Sequence, residues 1–200
     1  MIQVMVRAAL VLIAGSIAMA AGAQNFSEGY KFLKAVRDRD GTVVTSMLEK
    51  PGSTVIDARE TGSGESALQI VIARQDIAWL GFLLAKGANA NQQDDAGNSP
   101  MMQAVEAGFT DGVRRLLTAR ANVNLSNRSG ETPLIRAVQK RDVAMVRLLL
   151  ANGADADRKD VIAGMSARDY ARADARTPTI LKLIEEGKKA PAKGMSGPVL

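Results

Sequence analysis

The acidic residues near the end of the chain's repeating region are the first candidates for chemistry. Asp155, Asp157 and Asp160, in the stretch NGADADRKD, imitate the start of a calcium loop. Such a loop also needs a glycine at its sixth position and a late glutamate that binds the ion through both oxygens. Neither residue is present, so calcium binding is not expected.

A second acidic pair, Asp94 and Asp95, lies in a predicted turn. Two carboxylates can perform acid–base catalysis when a cleft raises the pKa of one of them. Adjacent residues on an exposed turn do not provide that environment. We therefore interpret this pair as part of a turn.

The composition removes most other catalytic classes. The 200 residues include no histidine and no cysteine, so the commonest general base, the thiolate nucleophile and the main zinc ligands are absent. The motifs of serine hydrolases and phosphate-binding loops are absent too. A carboxylate-based enzyme is the alternative class, but no motif supports it. We expect no catalysis, no cofactor and no metal.

Three consecutive segments of the chain align with one another without gaps and are equal in length. They begin at Gly64, Gly97 and Gly130, and the same spacing relates their paired leucines and their terminal Asn or Asp residues. One period in several independent features indicates a repeat architecture. A short segment of this kind cannot bury its apolar residues alone, so the segments must stack.

Each repeat is predicted to form two antiparallel helices. Helix caps are expected at Ser66, Ser99 and Thr132. Pro100 and Pro133 follow at the first helical position, where the missing N–H of proline costs nothing. Apolar residues then recur at helical spacing, and a glycine ends the second helix in two of the repeats.

This pattern resembles the ankyrin repeat, a unit of about 33 residues with a turn, two antiparallel helices and a projecting loop. The resemblance covers Gly64 to Asp157 and extends more loosely in both directions. It implies an all-α solenoid of about five stacked units, two of them divergent caps. The domain is expected at residues 24–186, with units at 26–60, 61–93, 94–126, 127–160 and 161–186. By its composition the tail at 187–200 is predicted to be disordered.

The chain departs from the family pattern, and its own units differ from one another at Gly112. The family usually has a histidine after Thr-Pro-Leu, and its loss is expected to loosen the turns. The corresponding positions are Gln69, Met102, Ile135 and Asp169. Arg120 stands where other repeats have glycine and would adopt a left-handed conformation at a cost of about 1 kcal/mol. Gly112 is a poor helix residue, and we expect it to leave room for the indole of Trp79.

In ankyrin-like arrays the partner binds an extended concave surface formed by loop tips and the exposed flank of the first helices. The candidate partner-binding residues at these positions are Arg74, Asp95, Asn98, Gln103, Glu106, Arg128, Glu131, Arg136, Gln139 and Lys140. The unit that contains Arg128, Arg136 and Lys140 is basic, which predicts a protein partner with an acidic feature.

The first 23 residues predict export. They contain one charge, Arg7, then an apolar run that ends in Ala-Gly-Ala, which is typical of a secretory signal peptide cleaved between Ala23 and Gln24. The run is short for a membrane span, which favours cleavage over a retained anchor. No other segment could cross a membrane, so the mature chain is expected to have no span. The absence of cysteine means that packing alone must stabilise the fold in an oxidising compartment. We expect a periplasmic location.

A basic excess of charge would suggest nucleic acid as a partner, but the predicted export from the cytoplasm argues against it. Without residues 1–23 the chain has 25 basic and 21 acidic residues, a modest excess with no aromatic stacking platform. The predicted function is a non-enzymatic, monomeric protein–protein interaction module in the cell envelope. Two alternatives remain open: an inhibitor or immunity-type protein that masks an envelope-acting enzyme, and a membrane-tethered scaffold that retains its N-terminal segment.

Overall fold

The computed structural model describes residues 27–189. The predicted signal peptide, its cleavage site between Ala23 and Gln24, and the tail beyond residue 189 lie outside these residues. Within 27–189 the chain forms ten α-helices and no strands. They are α1 (Glu28–Asp38), α2 (Gly41–Leu48), α3 (Ala67–Ala73), α4 (Ile77–Ala85), α5 (Pro100–Glu106), α6 (Thr110–Thr118), α7 (Pro133–Gln139), α8 (Val143–Ala151), α9 (Ala167–Ala173) and α10 (Pro178–Lys189). None of these ten is both long and apolar enough to cross a bilayer.

The helices form five antiparallel pairs that stack into a solenoid, as the repeat predicted. The first helices of the pairs, α1, α3, α5, α7 and α9, pack on one another in that order. Among the second helices, α4 packs on α6 and α8 packs on α10. The core between the two layers is aliphatic, and Leu80, Leu116 and Leu149 are completely buried. Each such leucine contributes about 2 kcal/mol of burial free energy.

Side-chain caps begin the first helices at the predicted residues. Ser66, Ser99 and Thr132 accept hydrogen bonds from the backbone N–H three residues later, at 3.4, 3.2 and 3.3 Å. Ser166 caps α9 in the same way, at 3.2 Å. These bonds satisfy N–H groups that lack partners within the helix.

The second helices begin after an aspartate in the first, second and fourth pairs and after a phenylalanine in the third. Asp40, Asp76 and Asp142 cap α2, α4 and α8. Phe109 occupies the equivalent position before α6 and makes no capping hydrogen bond in the described part of the chain. Its ring is 7% exposed. This unit therefore has a buried aromatic ring in place of a cap.

Gly112 accommodates that ring. A β-carbon at Gly112 would lie 2.3 Å from Cδ1 of Phe109, and the three nearest atoms all belong to the phenylalanine. The expectation that Gly112 makes room for Trp79 was wrong. The space is filled by a residue three positions earlier in the same unit, which a comparison between units could not show.

Two of the four positions that lack histidine carry other hydrogen-bonding side chains. Gln69 accepts from Ser66 N at 3.0 Å and donates to the Asn98 carbonyl of the next unit at 3.0 Å. Asp169 accepts from Ser166 N at 3.1 Å. Met102 and Ile135 are buried at the other two positions. The expected loosening of the turns does not apply to α3 and α9, where new side chains make the bonds.

The loops between units are joined by side-chain hydrogen bonds. Asn91 Oδ1 accepts from Asn122 N at 2.7 Å, and Asn124 Oδ1 accepts from Asp155 N at 2.8 Å. Arg120 is left-handed, with φ of 60°, as its position required. At the C-terminal end, the boundary predicted for the disordered tail was too early, because residues 187–189 still belong to α10.

Candidate protein-binding surface

The tips of successive units are linked by backbone hydrogen bonds. Asp95 N donates to the Ser63 carbonyl at 2.9 Å, and Arg128 N donates to the Ala96 carbonyl at 3.1 Å. Val161 N then donates to the Ser129 carbonyl at 2.9 Å. We call this series the tip ladder. It fixes the tips in a row, so a partner would meet them in one arrangement.

The predicted tip residues differ in how free their side chains are. Asp95 pairs with Arg59 at 2.8 Å. Asn98 donates to Asp94 at 3.2 Å and accepts from Asn127 at 3.2 Å. Both side chains are therefore partly committed to holding the tips. Arg128 is exposed and has no carboxylate partner within residues 27–189, so its guanidinium is available to a partner.

Three of the predicted residues on the first helices, Glu106, Arg136 and Lys140, form a charged cluster between α5 and α7. Glu106 lies 3.5 Å from Arg136 Nε and 3.4 Å from Lys140 Nζ. Arg136 also donates to Glu131 at 2.6 Å. These acidic groups offset much of the positive charge that the sequence assigned to this face. The structure brings four predicted residues together here, but they form ion pairs with one another.

A cleft of about 200 Å³ lies beside this cluster and is lined by Gln103, Met102 and Glu106 among others. The Oε1 atom of Gln103 is buried and receives no hydrogen bond within the described part of the chain. A buried acceptor without a donor is costly.

Two other predicted residues, Arg74 and Gln139, lie near residues of a neighbouring unit. Arg74 Nη1 donates to the Val36 carbonyl at 2.8 Å, and its guanidinium lies 5.7 Å from the centre of the Trp79 ring. Arg74 thus ties the first unit to the second, and its side chain is largely enclosed. Gln139 is exposed and lies near the Tyr170 hydroxyl of the next unit.

The sequence interpretation missed the last tip. Val161 and Ile162 are 73% and 80% exposed, the highest values among the large hydrophobic residues described. Asp160 beneath them is only 5% exposed. The signal was available, since an apolar pair stands where the preceding tips have Asp95-Ala96 and Arg128-Ser129.

Asp160 organises this tip as a hydrogen-bond acceptor. Its Oδ1 accepts from the backbone N–H of Ala163 at 2.7 Å and of Ile162 at 3.0 Å. Its Oδ2 accepts from the Tyr170 hydroxyl at 2.7 Å. The Tyr170 hydrogen bond, followed by the backbone N–H groups, holds the pKa of Asp160 below its usual value of 3.8.

This lowered pKa predicts a pH dependence. The carboxylate stabilises the fold at any pH above its unfolded-state pKa, and this contribution is lost as the pH falls through the lower folded-state pKa. Asp160→Asn should therefore lower the melting temperature at neutral pH, and the difference from the wild type should shrink well below pH 3.8. Thermal melts of both proteins across this range measure the effect. A difference independent of pH would contradict it.

Comparison with known proteins agrees with the geometry. A family model described as ankyrin repeats (3 copies) matches residues 32–127 and 68–160. The chain belongs to the ankyrin repeat family. An ankyrin repeat-containing protein of Treponema pallidum (strain Nichols) is 30% identical over 155 residues, which cover 76% of this chain and 50% of the relative. The chain thus spans about half the length of that relative.

Membership of the ankyrin repeat family indicates the general role of this surface. Ankyrin repeats are protein–protein interaction modules and are generally scaffolds, not catalysts. The ankyrin array described above presents a fixed row of tips and a charged cleft on the flank of α5 and α7.

Proposed function

We propose that this ankyrin protein binds a protein partner in the cell envelope through its tips and the flank of α5 and α7. The tip ladder supports the proposal most directly, because it holds exposed side chains of three units in a fixed row. A surface that is ordered before binding loses less conformational entropy when it binds.

The cleft beside α5 and α7 suggests how a partner is oriented. Glu106 lines the cleft with a negative charge that it shares with two cations. A partner side chain that carries an N–H donor fits this chemistry.

The narrower proposal, that the partner has an acidic feature, rests on Arg128. Arg136 and Lys140 were expected to contribute, but both are paired with Glu106. An acidic group would therefore be attracted mainly to the tip, where Arg128 is exposed.

Charge reversal at this tip tests the proposal. Arg128→Glu should weaken partner binding about tenfold or more, because it replaces attraction by repulsion at the contact. Arg114→Glu makes the same charge change on α6, on an exposed residue of the second-helix layer, and should leave binding unchanged. The measurement is quantitative pull-down after crosslinking in the native envelope. Equal binding by both variants would contradict the proposed face.

The envelope location depends on the N-terminal segment. A mass measurement of the protein purified from the envelope should show a chain that begins at Gln24 if the signal peptide is cleaved. A chain that begins at Met1 would favour the tethered scaffold, and recovery from the cytoplasm alone would contradict the location.

A further inference from the structure

The tip ladder ends at an unused backbone acceptor. Its acceptor carbonyls belong to Ser63, Ala96 and Ser129, which recur at the repeat spacing, and Ile162 is the next member of that series. No donor within residues 27–189 reaches the Ile162 carbonyl. The last step of the ladder is therefore open in the part of the chain that the structure describes.

The side chains at this open step differ in chemistry from those of the inner tips. The inner tips carry Asp95 with Ala96 and Arg128 with Ser129, whereas the last carries Val161 with Ile162. Both side chains of this last pair are largely exposed. Two adjacent exposed apolar side chains at one tip are suited to packing against apolar side chains of a partner.

The open step is also held in place before anything binds. Asp160 accepts three backbone N–H groups of the tip, those of Ile162, Ala163 and Gly164, at 3.0, 2.7 and 3.1 Å. From the other side Gly130 approaches so closely that a β-carbon there would lie 2.9 Å from Val161 N. The exposure of the apolar pair is thus a property of an ordered tip.

We propose that the tip formed by Val161 and Ile162 docks an extended apolar segment of the partner protein as the next step of the tip ladder. A backbone N–H of that segment donates to the Ile162 carbonyl, as Val161 N donates to Ser129, and its apolar side chains cover the exposed pair. The continuity of the ladder supports this occupant, because the three inner steps already show the same bond. The inference rests on the proposed function, since it names the chemistry of the partner.

Random short peptides displayed on phage serve as the probe, selected against the full chain. We expect peptides with neighbouring apolar residues whose affinity falls at least about tenfold in Ile162→Ser. The matched control is Ile77→Ser, which removes another exposed isoleucine, on α4, and should change affinity less than about twofold. Methylation of one backbone nitrogen of the selected peptide should weaken binding about tenfold or more, because it removes the donor for the Ile162 carbonyl.

Four results would overturn the inference. They are selection of no peptide that depends on Ile162, insensitivity to every backbone methylation, a dimer of the chain that Ile162→Ser dissociates, and peptide binding that appears only after truncation following Lys189. The last two would assign the tip to a second copy or to the chain's own C-terminal segment. These results can be told apart from a failure of the proposed function. If capture of the partner depends on Arg128 but not on Ile162, the proposed function stands and the docking site at Ile162 is rejected.

Discussion

Replacement of Gly112 by alanine is expected to lower the free energy of unfolding by about 1 kcal/mol net, since overpacking a core costs about 1–3 kcal/mol. The added β-carbon would lie 2.3 Å from the Phe109 ring, which is 7% exposed and has little room to move. Alanine is favoured over glycine in a helix by about 1 kcal/mol, so a net loss means that the clash prevails. Chemical denaturation measures the difference.

Gly81→Ala is the matched control for this effect. Gly81 also lies inside a second helix, α4, but a β-carbon there would meet only the Arg115 side chain, at 3.7 Å. Without a clash, helix propensity should leave this variant as stable as the wild type or more stable, by up to about 1 kcal/mol. If Gly81→Ala and Gly112→Ala changed stability equally, the ring would not be the cause.

A second substitution can remove the clash and restore a cap. Phe109→Asp provides the residue that caps α2, α4 and α8, and it vacates the space beside Gly112. The double variant Phe109→Asp with Gly112→Ala should therefore lose less stability than the sum of the two single variants. Strict additivity would show that the two positions do not interact.

Replacement of Gln69 by leucine is expected to cost about 2 kcal/mol, because it leaves the buried Ser66 N–H without its partner, a loss of about 1–3 kcal/mol. Gln69 is completely buried, and its amide joins that N–H of its own unit to the Asn98 carbonyl of the next. Denaturant unfolding measures the loss.

Two further variants separate the hydrogen bonds from side-chain volume. Met102→Leu, at the equivalent position of the next unit, conserves volume where no side-chain hydrogen bond is present and should cost less than about 1.5 kcal/mol. Gln69→His introduces the usual residue of the family and should retain part of the bonding. Equal losses in Gln69→Leu and Gln69→His would argue against the hydrogen bonds.

The local features of the fold were predictable from the sequence. Caps such as Ser66 and Thr132 act on N–H groups three residues away, so their pattern is visible within one repeat. The left-handed Arg120 followed from its alignment with glycines. Gly112 was misinterpreted because positions were compared between units, whereas the ring that it accommodates comes from Phe109 within its own unit.

The electrostatics of the candidate surface could not be predicted in the same way. Arg136 and Lys140 belong to the unit that follows the unit of Glu106, and their pairing depends on the offset with which α7 stacks on α5. That offset is a property of the assembled layers. The open step at Ile162 likewise required the bonds of the inner tips to be known.

The bonds between loops restrict how the length of this chain can change during evolution. Asn91 and Asn124 each accept from the next unit, and both the acceptors and their donors recur at the repeat spacing. Duplication or loss of a whole unit would therefore leave each remaining acceptor opposite an equivalent donor. An insertion of another length would have to keep donor and acceptor opposite each other, as at the first boundary, where Asn89 N donates to Asp57 Oδ1 across a segment one residue longer. The bonds between loops therefore favour changes of length in whole repeats.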